Sequence, residues 1–397
     1  MPNAVIVDAV RTASGRGKQG GALAALHPAD LLATVLRSLV ERVGIDPALL
    51  DDVIGGCLSQ VGEQAVNITR NAVLAAGFPV TVPATTVDRQ CGSSQQAVAF
   101  AAQGVLAGAY DVVIACGVEQ MSRNPINAAT LGRDPWGPMV RERFPDGLVH
   151  QGISAELIAA RWDLHRETLD AFSARSHRLA AEATARGDFA REVLPIEVPT
   201  ADGGTRLHDV DETIRPGTSV EGLLALRPAF RDERFGARFP EIDWRITAGN
   251  SSPYTDGASA VLIASEAAAE RWGLIPRARF VDFAVVGSDP VEMLTGILPA
   301  TRKILDRSRL RIDDFDAVEV NEAFAPVPLA WQHEFDADPD RINPRGGAIA
   351  LGHALGSSGT RLLTTLVSEL EGSGGRYGLQ LMCEGGGMAN ATIIERV

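Results

Sequence analysis

Lysine is almost missing from this chain: Lys18 and Lys303 are the only two among 37 basic residues, so arginine carries nearly all the positive charge. That is a bias of composition and says little about function. Cysteine is scarce as well. The four cysteines, Cys57, Cys91, Cys116 and Cys383, are widely separated and never spaced C-x-x-C, which fits neither a disulfide framework nor a cysteine-based zinc site. Their roles must be packing or reactivity. No apolar run approaches the roughly 20 residues that a membrane-spanning helix needs, and Met1–Asp8 leads straight into Ala4-Val5-Ile6-Val7 without a basic, apolar leader pattern. The expectation is a protein of the cytoplasm with no membrane span. Net charge is −13, and the resulting field repels polyphosphates, so general nucleic-acid binding is excluded. An anionic ligand would need a local arginine pocket.

What is present is ordinary globular material: 397 residues, 45% hydrophobic and 22% charged, a length that calls for two or three domains. The first part alternates strand and helix. Val5–Val7, Val53–Leu58, Thr85–Val87 and Asp111–Cys116 read as strands, Pro28–Val43 and Asn67–Ala76 as helices, and the pattern implies a mixed, largely parallel sheet covered on both faces. From Gly117 to about Gly249 the pattern changes. Helical runs at Ser154–Trp162 and Arg166–Arg186 are followed by a polar stretch, Pro199–Pro216, which reads as an inserted loop domain with no further sheet. Strand signals resume at Ala260–Ile263.

The stretch Thr85–Ala97 organises the chain. A β-branched strand passes Cys91 at a small-residue turn and enters an Ala-rich helix, which places the thiol at a helix N-terminus, where the dipole is expected to pull its pKa down toward thiolate. Cys91 taken alone is better explained as a small buried residue. A second unit repeats the first, however. Ile45–Ile54 is echoed by Ile312–Val318, and the turn and helix after Cys91 are matched by His353-Ala354-Leu355-Gly356-Ser357-Ser358-Gly359 and the run Arg361–Thr364. If a pseudo-twofold relates the copies, Cys91 meets His353.

Four short elements carry the chemistry: Cys91-Gly92-Ser93-Ser94, Asn321-Glu322-Ala323-Phe324-Ala325, Asn343–His353, and Cys383-Glu384-Gly385-Gly386-Gly387. In this order and spacing they resemble the thiolase family over essentially the whole chain. The resemblance implies an α/β thiolase-like fold of two duplicated halves in a layered α-β-α-β-α arrangement. Residues 1–118, completed by 250–274, form the first half, 119–249 the inserted loop domain for CoA and acyl binding, and 275–397 the second half. It also implies cleavage of a 3-ketoacyl-CoA by CoA through an acyl-cysteine, with Cys91 as nucleophile, His353 as its base, Cys383 as the acid and base of carbon–carbon cleavage, and Asn321 holding a water. The Gly385 N–H would serve as an oxyanion donor. CoA enters as a substrate, and no metal or redox cofactor is expected.

By the same resemblance Ala248 and Ser252 match a pantetheine-contacting loop, Arg215 an adenine or phosphate contact, and Phe324 and His150 lie beside the substrate. A homodimer or homotetramer is implied. Three positions depart from the family pattern. Ala354 replaces a proline after the histidine, Pro253-Tyr254 reshapes the loop after Ser252, and Gln151 stands where short-chain thiolases carry methionine, which points away from acetoacetyl-CoA. The motif wording is similar to thiolases of steroid and related acyl-CoA breakdown. Two alternatives stay open: an acetoacetyl-CoA thiolase run in the condensing direction, and a thiolase-fold acyl-CoA or lipid binder with little activity.

Overall fold

The computed structural model describes residues 3–200 and 202–397. The chain runs β1 (Ala4–Thr12), α1 (Pro28–Val43), β2 (Asp52–Gly56), α2 (Ile68–Ala75), β3 (Ala84–Val87), α3 (Ser93–Leu106) and β4 (Val112–Gln120). The insertion contributes α4 (Gln151–Arg161) and α5 (Arg166–Arg186). Then follow β5 (Thr255–Ser265), β6 (Ala278–Gly287), α6 (Ile297–Ser308), β7 (Ala317–Val320), α7 (Pro326–Phe335), α8 (Ser358–Ser373), β8 (Tyr377–Glu384) and β9 (Met388–Arg396), with shorter pieces between.

Local chemistry sets these bounds. Helix α1 opens on Pro28 with the His27 side chain accepting from the Ala29 N–H, and it stops at Gly44 in the left-handed conformation. Its buried face carries Leu31, Leu32, Val35, Leu36 and Leu39 at helical spacing.

The strands lie in the order β3-β2-β4-β5-β1 and then β6-β9-β8-β7, one continuous path in which β1 meets β6 through Val5↔Arg279 and Ile6↔Ala278. The halves match strand for strand. In each, the strand at the junction of the halves (β1 or β6) pairs antiparallel with the next (β5 or β9), which pairs antiparallel with β4 or β8, which runs parallel to β2 or β7, so the sheet is mixed but mostly antiparallel, where the sequence pattern implied a largely parallel one. The place of β3 is taken in the second half by a single parallel bridge, Val318↔Ile342.

Alternating residues of each strand go to opposite layers, as the two-residue period of a strand requires. Val112, Ile114 and Leu262 join α1 and α2, whereas Val113, Val261 and Ile263 join α3 and α8 in the middle. Val318, Val320, Leu379 and Leu381 face α6 and α7 on the far side. The result is the five-layer stack of helix, sheet, helix, sheet, helix.

In the inserted region the sequence reading needs a correction. The stretch 196–208 is an antiparallel ribbon, Ile196–Pro199 against Thr205–His208, and Val193–Leu194 adds to β1. Ile196 and Val198 are buried on either side of the exposed Glu197, but in the partner strand even Leu207 is exposed, which hid the ribbon. Ion pairs fasten this region to β1: Arg11, fully buried, binds Glu192 and Asp211 at 2.7 Å each.

Candidate active site

Helices α3 and α8 start side by side in the middle layer. The Thr360 N–H donates to Ser94 Oγ at 3.0 Å, and a Cβ on Gly359 would overlap the Gln95 backbone. This backbone-to-backbone contact draws together the turns that precede the two helices. One carries Cys91, the other His353.

The Cys91 turn is wound tightly. Asp88 accepts from the Gln90 N–H at 2.7 Å, Ser93 Oγ donates to the Gln90 carbonyl at 2.6 Å, and Gln90 itself sits at φ 52°, a left-handed conformation uncommon outside glycine. Strain of this kind collects where a side chain must be aimed. The histidine turn depends on Gly352, whose φ of 85° and ψ of 165° suit only glycine and whose missing Cβ would stand 2.6 Å from Thr255 Oγ1. That hydroxyl accepts the His353 N–H at 3.0 Å.

Two buried carboxylates tie the surrounding loops. Glu119 accepts from the N–H groups of Leu58, Ser59 and Gly356 and from Gln64, joining the first half to the histidine turn. Glu322 accepts from Ser176, Asn343 and the Ile349 N–H, joining α5 to both second-half loops.

These constraints place the predicted residues in one buried network. Gln151 Nε2 is 4.0 Å from Cys91 Sγ, and the backbone N–H groups of Gly385 and of Cys91 itself favour the charged form of that sulfur. Cys383 lies close enough for the two thiols to affect each other, and the Asn321 amide favours its charged form. Asn321 Nδ2 is 3.4 Å from His353 Nε2, while the Asn321 Oδ1 is buried without a partner among the described residues. His353 Nδ1 meets Ser358 Oγ at 2.6 Å. The Ser358 proton goes to the Ala354 carbonyl at 2.9 Å, so the serine accepts from Nδ1–H, and the lone pair of the imidazole is at Nε2, facing the site.

One expectation is overturned. The start of α3 does not leave Cys91 a ready thiolate: burial pushes the thiol up to about 12, and Glu384 pushes it further in that direction against the pull of Gln151 and the Gly385 N–H. Full desolvation outweighs the helix terminus. Burial, with the Arg361 guanidinium nearby, brings His353 down to about 3. Cys383 is also raised, chiefly by burial. The resting site therefore holds neutral thiols beside a neutral imidazole.

The remaining predicted residues are not hydrogen-bonded into this centre. Phe324 is buried edge-on against Phe230, and His150, exposed, lies 5.5 Å from Phe230 and 5.6 Å from Phe235. The hydroxyl and N–H of Ser252 both go to the Ala323 carbonyl, at 3.1 and 3.0 Å, so this serine ties the 247–252 loop to the Asn321 segment. Ala248 is exposed. Arg215 is exposed too, its backbone N–H donating to His177 Nδ1 at 3.2 Å; it is not part of the buried network. Cys57 and Cys116 are buried. Sequence reasoning missed Ser358 and Glu384. The first had a signal, a serine five residues after a histidine at a helix start, and the second none beyond an acid in an apolar strand.

Among the described residues no group of three or more His, Cys, Asp or Glu side chains is placed to hold a metal, and no helix is long and apolar enough to cross a membrane. The fold and this constellation define a thiolase-type acyltransferase. Residues 4–267 match the thiolase N-terminal domain and 274–396 the thiolase C-terminal domain. The chain belongs to the thiolase family. It is 49% identical to a steroid 3-ketoacyl-CoA thiolase, FadA6, of Mycobacterium tuberculosis, over 100% of this chain and 95% of the relative. It is 43% identical to a 3-ketoacyl-CoA thiolase of Pseudoalteromonas translucida over the full length of both. The solved acetyl-CoA acetyltransferase of Bacillus anthracis superposes with a TM-score of 0.89 at 36% identity, covering 100% of this chain and 99% of that one.

Proposed function

We propose that this thiolase works in the degradative direction, cleaving a 3-ketoacyl-CoA with CoA to acetyl-CoA and a shortened acyl-CoA. The observation that carries this reading is the hydrogen-bonded row Asn321, His353, Ser358 beside two buried thiols, Cys91 and Cys383, close enough for the charge of one to act on the other. His353 Nε2 takes the Cys91 proton as the sulfur attacks the ketone carbon. The bond between that carbon and the acetyl unit breaks, its electron pair passing to an enolate whose oxygen meets His353 and a water held by Asn321. Cys383 protonates the enolate carbon, and acetyl-CoA leaves. Incoming CoA gives its thiol proton to Cys383 and attacks the acyl-Cys91 thioester. The tetrahedral oxyanion rests on the N–H groups of Cys91 and Gly385, and Cys91 departs with the proton returned by His353. These steps draw on the chain's own groups, with CoA as a substrate.

The acyl group proposed is steroid- or lipid-derived. The 49% identical relative bears a steroid thiolase name, and Gln151 puts a polar side chain against the nucleophile. CoA would reach the site along the Ala248–Ser252 loop, with Arg215 at its nucleotide end and His150 and Phe324 along the acyl path. A homodimer or homotetramer, acting in the cytoplasm, belongs to the same proposal. Its support is the open sheet edge at Ala84–Val87, near the exposed Val66 and Val80.

The test is mass spectrometry of the protein mixed with acetoacetyl-CoA, straight-chain and steroid side-chain 3-ketoacyl-CoAs, without CoA. An acyl adduct on Cys91, discharged by CoA and formed fastest from the steroid substrate, is expected. No adduct from any of them favours a binder, and a preference for acetoacetyl-CoA favours the condensing enzyme.

A further inference from the structure

Glu384 follows Cys383 at the end of β8, and its side chain points the opposite way, with Met382, toward the Cys91 turn. It is fully buried, and neither carboxyl oxygen has a hydrogen-bond partner among the described residues. The carboxyl rests directly on Gly92, the residue after the nucleophile: a Cβ there would overlap it. The nearby charged and titratable groups are Asp88 and Arg89 in the Cys91 turn, Cys91, and the adjoining Cys383. Arg89 forms no ion pair with Glu384; its Nη1 points at Met388 Sδ, 3.7 Å away. A carboxylate in such a place, with no donor on either oxygen, is strongly penalised, whereas the neutral acid is tolerated.

We infer that Glu384 is a proton-bearing, uncharged acid that supports the Cys91 turn, and that losing its proton suppresses ionisation of the nucleophile. This deepens the thiolase reading of the same site and rests on it. Two acids compete for one buried negative charge: Cys91 needs it in order to attack, and Glu384 takes it in alkali, giving its proton to solvent. Burial raises the Glu384 carboxyl to about 9, with Arg89 pulling it down and Asp88 pushing it up, and its charge in turn raises the Cys91 thiol. Glu384 acts through Cys91 and is a positioning residue.

The test is the rate at which iodoacetamide alkylates Cys91, followed site by site by mass spectrometry from about pH 6 to about pH 11, in the wild type and in Glu384→Gln. The expected result is alkylation of Cys91 about tenfold faster in Glu384→Gln at the alkaline end of that range, where the wild-type carboxyl has lost its proton, with the two rates converging toward neutral pH. Superimposable profiles, or a slower rate in Glu384→Gln at alkaline pH, would overturn the inference. Should Glu384→Gln fail to fold by circular dichroism, Glu384→Leu removes the same ionisable group and is read in the same way. Alkylation needs no acyl-CoA. Faster alkaline alkylation of Glu384→Gln in a protein that takes no acyl group would sink the proposed function and leave this inference standing, and an acylated protein with superimposable profiles would do the reverse.

Discussion

Ser358 Oγ accepts from His353 Nδ1 at 2.6 Å while giving its own proton to the Ala354 carbonyl. That pair of bonds fixes the tautomer, and with it the nitrogen available as a base. Ser358→Ala leaves Nδ1 without its acceptor and lets the ring turn over. The expected loss in kcat is about tenfold, the scale of one hydrogen bond, with KM little changed and partial recovery in Ser358→Thr. Steady-state kinetics of the three proteins checks it. A change confined to KM would contradict the assignment.

The two active-site thiols should separate by experiment. Cys91→Ala is expected to lower kcat by ~10⁵-fold or more, as removal of an attacking side chain does, and to abolish any acyl adduct. Cys383→Ala should stop turnover by ~10²- to 10⁴-fold, the range for a positioned acid or base, yet leave Cys91 open to iodoacetamide. Peptide mapping decides between them. Loss of Cys91 labelling in a folded Cys383→Ala protein would mean that the second thiol helps to form the site and does more than move protons.

Gln151 is the side-chain donor closest to the nucleophile, at 4.0 Å from Cys91 Sγ. Gln151→Met keeps length and removes the donor. Cys91 alkylation at neutral pH should slow by about two- to fivefold, the worth of a weak hydrogen bond to a charged acceptor. Measured against acetoacetyl-CoA and a bulky 3-ketoacyl-CoA, the same variant should also gain relative activity with the smaller substrate. An unchanged ratio would show that Gln151 does not shape the acyl pocket.

Stability should fall on both sides of mildly acidic pH, for two separate reasons. Burial holds His353 at about 3 and His177 at about 4, below their unfolded values, so the unfolded chain takes up protons first and stability drops as pH falls from about 6.5. Glu384, raised to about 9, and Glu319, raised to about 8, behave oppositely. The folded protein keeps their protons after the unfolded chain has lost them, and stability drops as pH rises from the ordinary carboxylate range toward those values. Thermal melts across pH should show Glu319→Gln flattening the alkaline side and His177→Phe flattening the acidic side. Identical curves for variants and wild type would refute the account.

Much of the architecture could be read from residues. The strand periods of Val5–Val7 and Asp111–Cys116, the helix over Arg166–Arg186 and the repeat linking Cys91 to His353 all rest on local patterns that tertiary packing leaves in place. The ribbon at 196–208 escaped because its second strand, Thr205–His208, leaves even Leu207 exposed and carries no apolar alternation. At the site, the residue types were legible and their ionisation was not. The pull of a helix start on Cys91 can be inferred from sequence, but the burial that overrides it comes from Met382, Leu355 and Leu362, which arrive from distant segments. Glu384 was hidden for a related reason. An acid at a strand end looks solvated until Gly92 is seen to lie against it.

The crossing of α3 and α8 at Gly359 is made of main chain. The interval between sulfur and imidazole is consequently set by how near two helix axes can come, a quantity that no rotamer change can adjust. Any side chain larger than hydrogen at that crossing would act as a spacer, opening the gap between the reacting partners while leaving each in its own intact turn.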